Sequence, residues 1–153
     1  MLNKALDIAY KAHWGQTDKA GAPYKLHLTR VALHCQTEDE KIVALLHDVV
    51  EDTSMTLEEL KAQGFSNEVL VALKCLTQIE DEDYQTFIQR VATNPLAVKV
   101  KIQDLKDNMD LSRLDGKPHW KMETYKKALD YLEQCSNKKV LYVDMDNVLV
   151  NFQ

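Results

Sequence analysis

Residues 43–53 read VALLHDVVEDT. An apolar run from Val43 to Leu46 leads into His47 and Asp48, and Val49 and Val50 separate that pair from Glu51 and Asp52. A histidine on an apolar helix is most often a core residue with its hydrogen bonds satisfied, and His34 and His119 are read as surface or core residues. Four ionisable residues crowded into the end of one apolar helix are a different matter, because burying them unpaired is expensive.

Consecutive helix positions lie about 100° apart, so His47 and Asp48 can both reach one ion placed off their shared flank. Glu51 is four residues after His47 and three after Asp48, and Asp52 is four after Asp48, which stacks the acids on the same side. His27 lies twenty residues before His47, and Asp104 fifty-six after Asp48. Two imidazoles and two carboxylates can close around one divalent ion. Mixed nitrogen and carboxylate ligation suits manganese, iron or zinc, with Mn²⁺ preferred here. Such an ion acidifies a bound water and neutralises a phosphoryl oxygen, and Glu51 is placed to orient or deprotonate that water. The pattern outlines a metal-dependent phosphohydrolase.

The surrounding sequence is helical in its punctuation. Leu2, Ala5, Leu6, Ala9 and Ala12 recur at helical intervals until Gly15. A loop is expected from Gly15 to Tyr24, then a short helix over 29–37. Thr37-Glu38-Asp39-Glu40 has capping-box spacing ahead of a helix over 42–50, and Thr56-Leu57-Glu58-Glu59 repeats it for a short helix ending near Gly64. Ser66 caps a helix to Leu76. Two more helices are expected over 83–93 and 95–110, the second with Pro95 in its first turn, and a last amphipathic one over 118–135. The fold class is all-α with a short β-strand-like C-terminal tail.

At 153 residues the chain fits one ordinary domain, and four glycines and three prolines leave little room for a many-turned β fold. A net charge of −5 argues against nucleic acid as a partner, since that grip needs a basic surface. Cys35, Cys75 and Cys135 are odd in number and scattered, which indicates neither a disulfide framework nor a thiolate zinc site; they read as reduced cysteines in the cytoplasm. No signal peptide is expected at the N-terminus, and no run of about 18 apolar residues exists to span a membrane.

The segments AYKAHWGQTDKAGAPYKLHLTRVA (9–32), VALLHDVVEDT (43–53), LTQIEDEDYQTFIQRVATNPLAVKVKIQDLKDNMDLSRL (76–114) and TYKKALDYL (124–132) carry in order the motifs HxGQ, PYxxHxxRVA, HDxxED and KxxDxxDN. Over roughly residues 2–133 the chain thereby resembles the HD hydrolase module of the RelA/SpoT family, and in particular its stand-alone small alarmone hydrolases, among them metazoan SpoT homologues. The resemblance implies a helical HD domain that binds Mn²⁺, with Fe²⁺ or Zn²⁺ as other candidates. It implies a small-molecule nucleotide substrate, guanosine tetra- or pentaphosphate, cleaved to GDP or GTP and pyrophosphate. His27, His47, Asp48 and Asp104 match the metal ligands, and Glu51 and Asp52 the catalytic acidic pair. Among substrate contacts, Asn108 matches a nucleotide-contacting asparagine, Lys19 a basic residue of the loop lining the pocket, and Arg30 the partly structural arginine of HxxR; Tyr24, Lys101 and Arg113 are further candidates. Thr17-Asp18-Lys19 departs from the family by placing an acid where a second basic residue is common, which would repel an anionic substrate or remove a stacking cation. Hydrolysis of another nucleotide, such as the 2′-phosphate of NADPH or a nucleoside monophosphate, and a non-catalytic nucleotide-sensing role therefore stay open. No synthetase domain is present, so hydrolysis alone is expected.

After Lys138-Lys139 the chain changes to VLYVDMDNVLV (140–150), rich in β-branched residues. This resembles the first strand and DxDxV motif of haloacid-dehalogenase phosphatases, especially 5′(3′)-deoxyribonucleotidases, with Asp144 as nucleophile and Asp146 as acid. The expected division is an HD phosphohydrolase domain over 1–136 and, over 137–153, the start of a truncated second domain. A terminal strand with an open edge would also offer a route to a homo-oligomer.

Overall fold

The computed structural model describes residues 1–18, 21–110 and 121–145, and of residues 137–145 the backbone alone. Among the described residues eight helices follow one another: α1 (Leu2–Ala12), α2 (Tyr24–Leu33), α3 (Glu38–Asp52), α4 (Leu57–Ala62), α5 (Asn67–Leu76), α6 (Tyr84–Val91), α7 (Pro95–Asn108) and α8 (Met122–Met145). Among the described residues there is no β-strand beyond an isolated antiparallel bridge between Thr17 and Pro23.

α3 is the axis of the molecule. Ile42, Val43, Ala44, Leu45, Leu46 and Val49 are all buried, so the helix is apolar nearly all round, as a central helix must be. It packs against α1, α2, α5 and α7. The fully buried Ala5 and Ala9 on α1 present small side chains to that interface, while Leu28 and Val31 on α2 and Val98 and Leu105 on α7 join the same core. α8 covers α7 and α6 through Ala128 and Leu132.

The caps expected from sequence form, with one change. Thr56 and Glu59 make the reciprocal capping box, Thr56 Oγ1 accepting from Glu59 N at 3.1 Å and Glu59 Oε1 from Thr56 N at 3.1 Å. At α3 the box is half made: Thr37 Oγ1 accepts from Glu40 N at 3.1 Å, but Glu40 Oε1 reaches past the cap to Gln36 N at 3.0 Å. Ser66, Asp83 and Asn94 cap α5, α6 and α7.

Two expectations are corrected. The helix expected over 29–37 starts five residues earlier, at Tyr24, because Pro23 supplies an extended N-cap and its fixed φ of −55° turns the chain directly into the helix; His27 is therefore on a helix. At the other end, residues 140–145 of the expected strand continue α8. No glycine or proline interrupts 122–145. A lone strand would leave its N–H and C=O groups unpaired, whereas helix pairs them within the segment, so local β-propensity yields. Residues 146–153, with Asp146, lie outside the described residues. No helix among the described residues is long and apolar enough to cross a membrane.

Leu73, fully buried on α5, tests this packing. Leu73→Ala should cost about 2–5 kcal/mol in urea unfolding, and Ser66→Ala, which removes only a cap, about 1 kcal/mol. Equal small losses would mean that α5 does not share the α3 core.

Candidate metal centre and its cleft

Three helices bring the chemistry together. His27 comes from α2, His47 and Asp48 from α3, and Asp104 from α7. One ligand atom from each of His27, His47 and Asp104 lies within 4.8 Å of the others, and all three residues are buried. Asp48 stands beside this trio, its Oδ2 3.2 Å from His47 Nε2.

His47 is held in a defined way. Its Nδ1 donates to the Ala44 carbonyl at 2.7 Å, so in the neutral ring Nε2 carries a lone pair. That Nε2 is buried without a hydrogen-bond donor, yet Asp48 Oδ2 is at 3.2 Å and Asp104 Oδ1 at 3.5 Å. A lone pair facing two carboxylates is repulsive unless a positive centre sits among them. Either a second ring proton or a shared cation satisfies the arrangement, and the donor set of imidazole nitrogens and carboxylate oxygens fits a divalent transition ion.

His27 repeats the logic. Nε2 is 2.9 Å from Asp104 Oδ1, and Nδ1 is 2.5 Å from Asp107 Oδ2. Asp107 was not among the residues expected from sequence to have a role; its signal was the i, i+3 spacing from Asp104 in KxxDxxDN, which puts both acids on one face of α7. Asp104 itself is the hub: Lys101 Nζ donates to its Oδ2 at 2.9 Å and Asn108 Nδ2 lies 3.4 Å from its Oδ1.

These contacts set the ionisation. Burial opposes the charge on His47, but Asp48 and Asp104 outweigh it and raise the imidazole from its ordinary 6.5 to about 9. His27 is likewise raised, burial being overcome by Asp104 and Asp107. Burial would push Asp104 up, yet Lys101 and the two imidazoles hold it well below the carboxylate range. Asp52 is raised by burial and by repulsion from Asp48 and Glu51.

His27 and Asp104 open into a cavity of about 460 Å³ whose wall includes Asp48, Glu51, Asp52, Lys101, Asn108 and Lys121, within the range of roughly 300–1,000 Å³ typical of small-ligand sites, and His47 lines a second cavity that shares Asp48, Glu51, Lys101, Asn108 and Lys121 with it. Glu51 is steadied by Gln78 N, which donates to its Oε2 at 2.9 Å. Tyr24 also lines the cavity; its hydroxyl donates to Asp48 Oδ2, and its ring lies against both His13, at 5.0 Å, and His27, at 5.4 Å between centroids. Lys121 and Tyr125, at the start of α8, were not singled out as site residues from the sequence. Arg30 faces elsewhere, donating to Asp107 from Nε at 2.8 Å and from Nη2 at 3.2 Å. Lys19 and Arg113 lie outside the described residues.

A helical domain with this His and Asp cluster on three helices is an HD-type domain. Comparison with known proteins narrows the class. No family model matches the chain. It is 32% identical over 120 residues to a guanosine-3′,5′-bis(diphosphate) 3′-pyrophosphohydrolase of Aquifex aeolicus, covering 71% of this chain and 17% of that protein. It is 39% identical over 82 residues to one of the same name from Borreliella burgdorferi, covering 51% and 12%, and 27% identical over 124 residues to the bifunctional (p)ppGpp synthase/hydrolase SpoT of Escherichia coli K12, covering 71% and 17%. The chain thus spans less than a fifth of the length of these curated relatives. A solved structure described as a metazoan ortholog of SpoT that hydrolyzes ppGpp and plays a role in starvation responses superposes with a TM-score of 0.68 at 23% identity, over 90% of this chain and 92% of that one. The chain carries a SpoT-like HD domain.

The cluster's titration gives a stability test. A raised His47 stabilises the folded chelator-treated protein fully below 6.5, and that contribution disappears as pH rises through about 9. The lowered Asp104 stabilises above 3.8 and is lost as pH falls further. The thermal midpoint of chelator-treated protein should therefore decline between pH 6.5 and 9, and excess divalent ion should flatten that decline by occupying Nε2 in place of the proton. An identical decline with and without ion would sink the shared-cation account.

Proposed function

We propose that this domain removes the 3′-pyrophosphate from guanosine 3′,5′-bis(diphosphate) and its pentaphosphate analogue, giving GDP or GTP and pyrophosphate. The observation that carries the reading is the buried His47 Nε2, which faces Asp48 and Asp104 without a hydrogen-bond partner in a cleft lined by two lysines. The names of the sequence relatives supply the substrate.

His27, His47, Asp48 and Asp104 would hold the ion, Mn²⁺ in our reading. When bound, such an ion supplies Lewis acidity, acidifying water and offsetting phosphoryl charge. Glu51, held by Gln78 N, accepts the proton of the attacking water. The proton taken up by this acidic pair returns through Asp52, whose carboxyl is raised by burial and by Asp48 and Glu51, to the departing 3′-oxygen as the P–O bond breaks. Tyr24 orients Asp48, and Lys101 fixes Asp104 while presenting positive charge to the cleft. Asn108 and Lys121 line the cavity and would meet the nucleotide.

Pyrophosphate release from guanosine tetraphosphate by Mn²⁺-loaded protein tests this, with inorganic phosphate monitored in parallel. His47→Ala and Asp48→Ala should abolish both ion binding and turnover with much of the fold retained. Glu51→Gln should keep the ion and lose roughly 10²–10⁴-fold in kcat. Full turnover by His47→Ala would refute the assignment, and inactivity of well-folded, ion-loaded wild type towards this nucleotide would refute the substrate.

A further inference from the structure

His27 and Arg30 are one turn apart on α2, and Asp104 and Asp107 one turn apart on α7. The two helices face each other through these four side chains. His27 bridges both acids, and Arg30 grips the second of them with a two-pronged contact, Nε to Asp107 Oδ1 at 2.8 Å and Nη2 to Oδ2 at 3.2 Å. Beyond Arg30 lies a third acid: Asp18 Oδ2 is 3.8 Å from Nη2. Asp18 and Asp107 side chains are only 8% and 10% exposed. The loop fixes Asp18 in turn, with Ala22 N donating to its Oδ1 at 3.0 Å and Gly21 N to its carbonyl at 3.0 Å. Gly21 has φ of +85°, a conformation that favours glycine.

Resting on the metal-centre reading above, we infer that Arg30 and Asp107 are positioning residues for the ion and that Asp18 ties the loop at 15–22 to them. Asp107 accepts the Nδ1 proton of His27, which leaves Nε2 as the lone pair directed at Asp104. A nearly buried carboxylate keeps its charge, and hence its strength as an acceptor, only beside a cation. The planar guanidinium supplies that charge and matches both oxygens, as a lysine cannot. Arg30 acts on the ion through His27 rather than by holding substrate phosphates. The acid at position 18, which from sequence alone looks opposed to an anionic substrate, is paired with this guanidinium instead.

The test is Mn²⁺ affinity of the full chain in the absence of nucleotide, measured by calorimetry, alongside the ¹⁵N NMR signature of the His27 tautomer. The variants are Asp107→Asn, Arg30→Gln, Arg30→Lys and Asp18→Asn, with circular dichroism to establish folding. Asp107→Asn, nearly isosteric, should weaken the ion by roughly 10–100-fold and populate the other His27 tautomer. Arg30→Gln should do the same, Arg30→Lys should fall between, and the Arg30→Gln/Asp107→Asn double variant should be no weaker than either single one. Asp18→Asn should cost less, and nothing further in the Arg30→Gln background. Unchanged ion affinity in Arg30→Gln with a raised KM for the nucleotide would make Arg30 a phosphate contact and overturn the inference, as would additive losses in the double variant. Wild type that binds no divalent ion would overturn the metal centre itself, a failure distinct from wild-type binding that the variants leave untouched.

Discussion

Asp104 is 4% exposed and bears its charge inside the helical core, so the packing of three helices has to supply what water would otherwise give it. Lys101 from its own helix, His27 from α2 and His47 from α3 converge on its two oxygens. Lys101 is the donor of the three, and its removal would strand a buried charge. That requirement fixes how α2 and α7 meet α3. The apolar face of α3 makes the core, but the polar end of the same helix decides its register against its neighbours.

The same economy of position explains why so many side chains near the cleft touch one another before any ligand arrives. Tyr24 rests between two imidazole rings and donates to Asp48; Gln78 N holds Glu51; Arg30 holds Asp107. Each of these hydrogen bonds joins residues distant in sequence, Gln78 from the connection between α5 and α6 and the others from facing helices, so tertiary packing sets the geometry and little side-chain freedom remains to be lost when a ligand binds.

Much of this was legible in the sequence because it rests on local spacing. His47, Asp48, Glu51 and Asp52 announce a shared flank through i, i+3 and i, i+4 intervals, and caps at Thr37, Thr56 and Ser66 mark helix starts through side-chain chemistry. What was not legible depends on contacts across the chain. Asp107 stands in the same motif as Asp104, yet only the approach of α2, eighty residues away in sequence, gives it His27 as a partner. Arg30 could be read equally as a phosphate ligand or a structural cation until α7 was seen to face it. Residues 140–145 continue α8 because a β-branched run specifies a strand only where a neighbouring strand pairs with it.

The charges lining the cleft impose an order on its chemistry. Among the described residues its wall carries the carboxylates of Asp18, Asp48, Glu51, Asp52 and Asp104 against Lys101 and Lys121. Lys101 is committed to Asp104, and Asp18 lies against Arg30. What remains is an acidic floor, which repels a phosphorylated nucleotide and attracts a divalent cation. In the proposed function, a cation held by Asp48 and Asp104 would offset that charge for an incoming polyphosphate. In a chain whose net charge is −5, the proposed grip on an anion would rest on one correctly placed ion. That is why the orientation of two imidazoles, set by Ala44 O and Asp107, matters more to this site than the number of lysines around it.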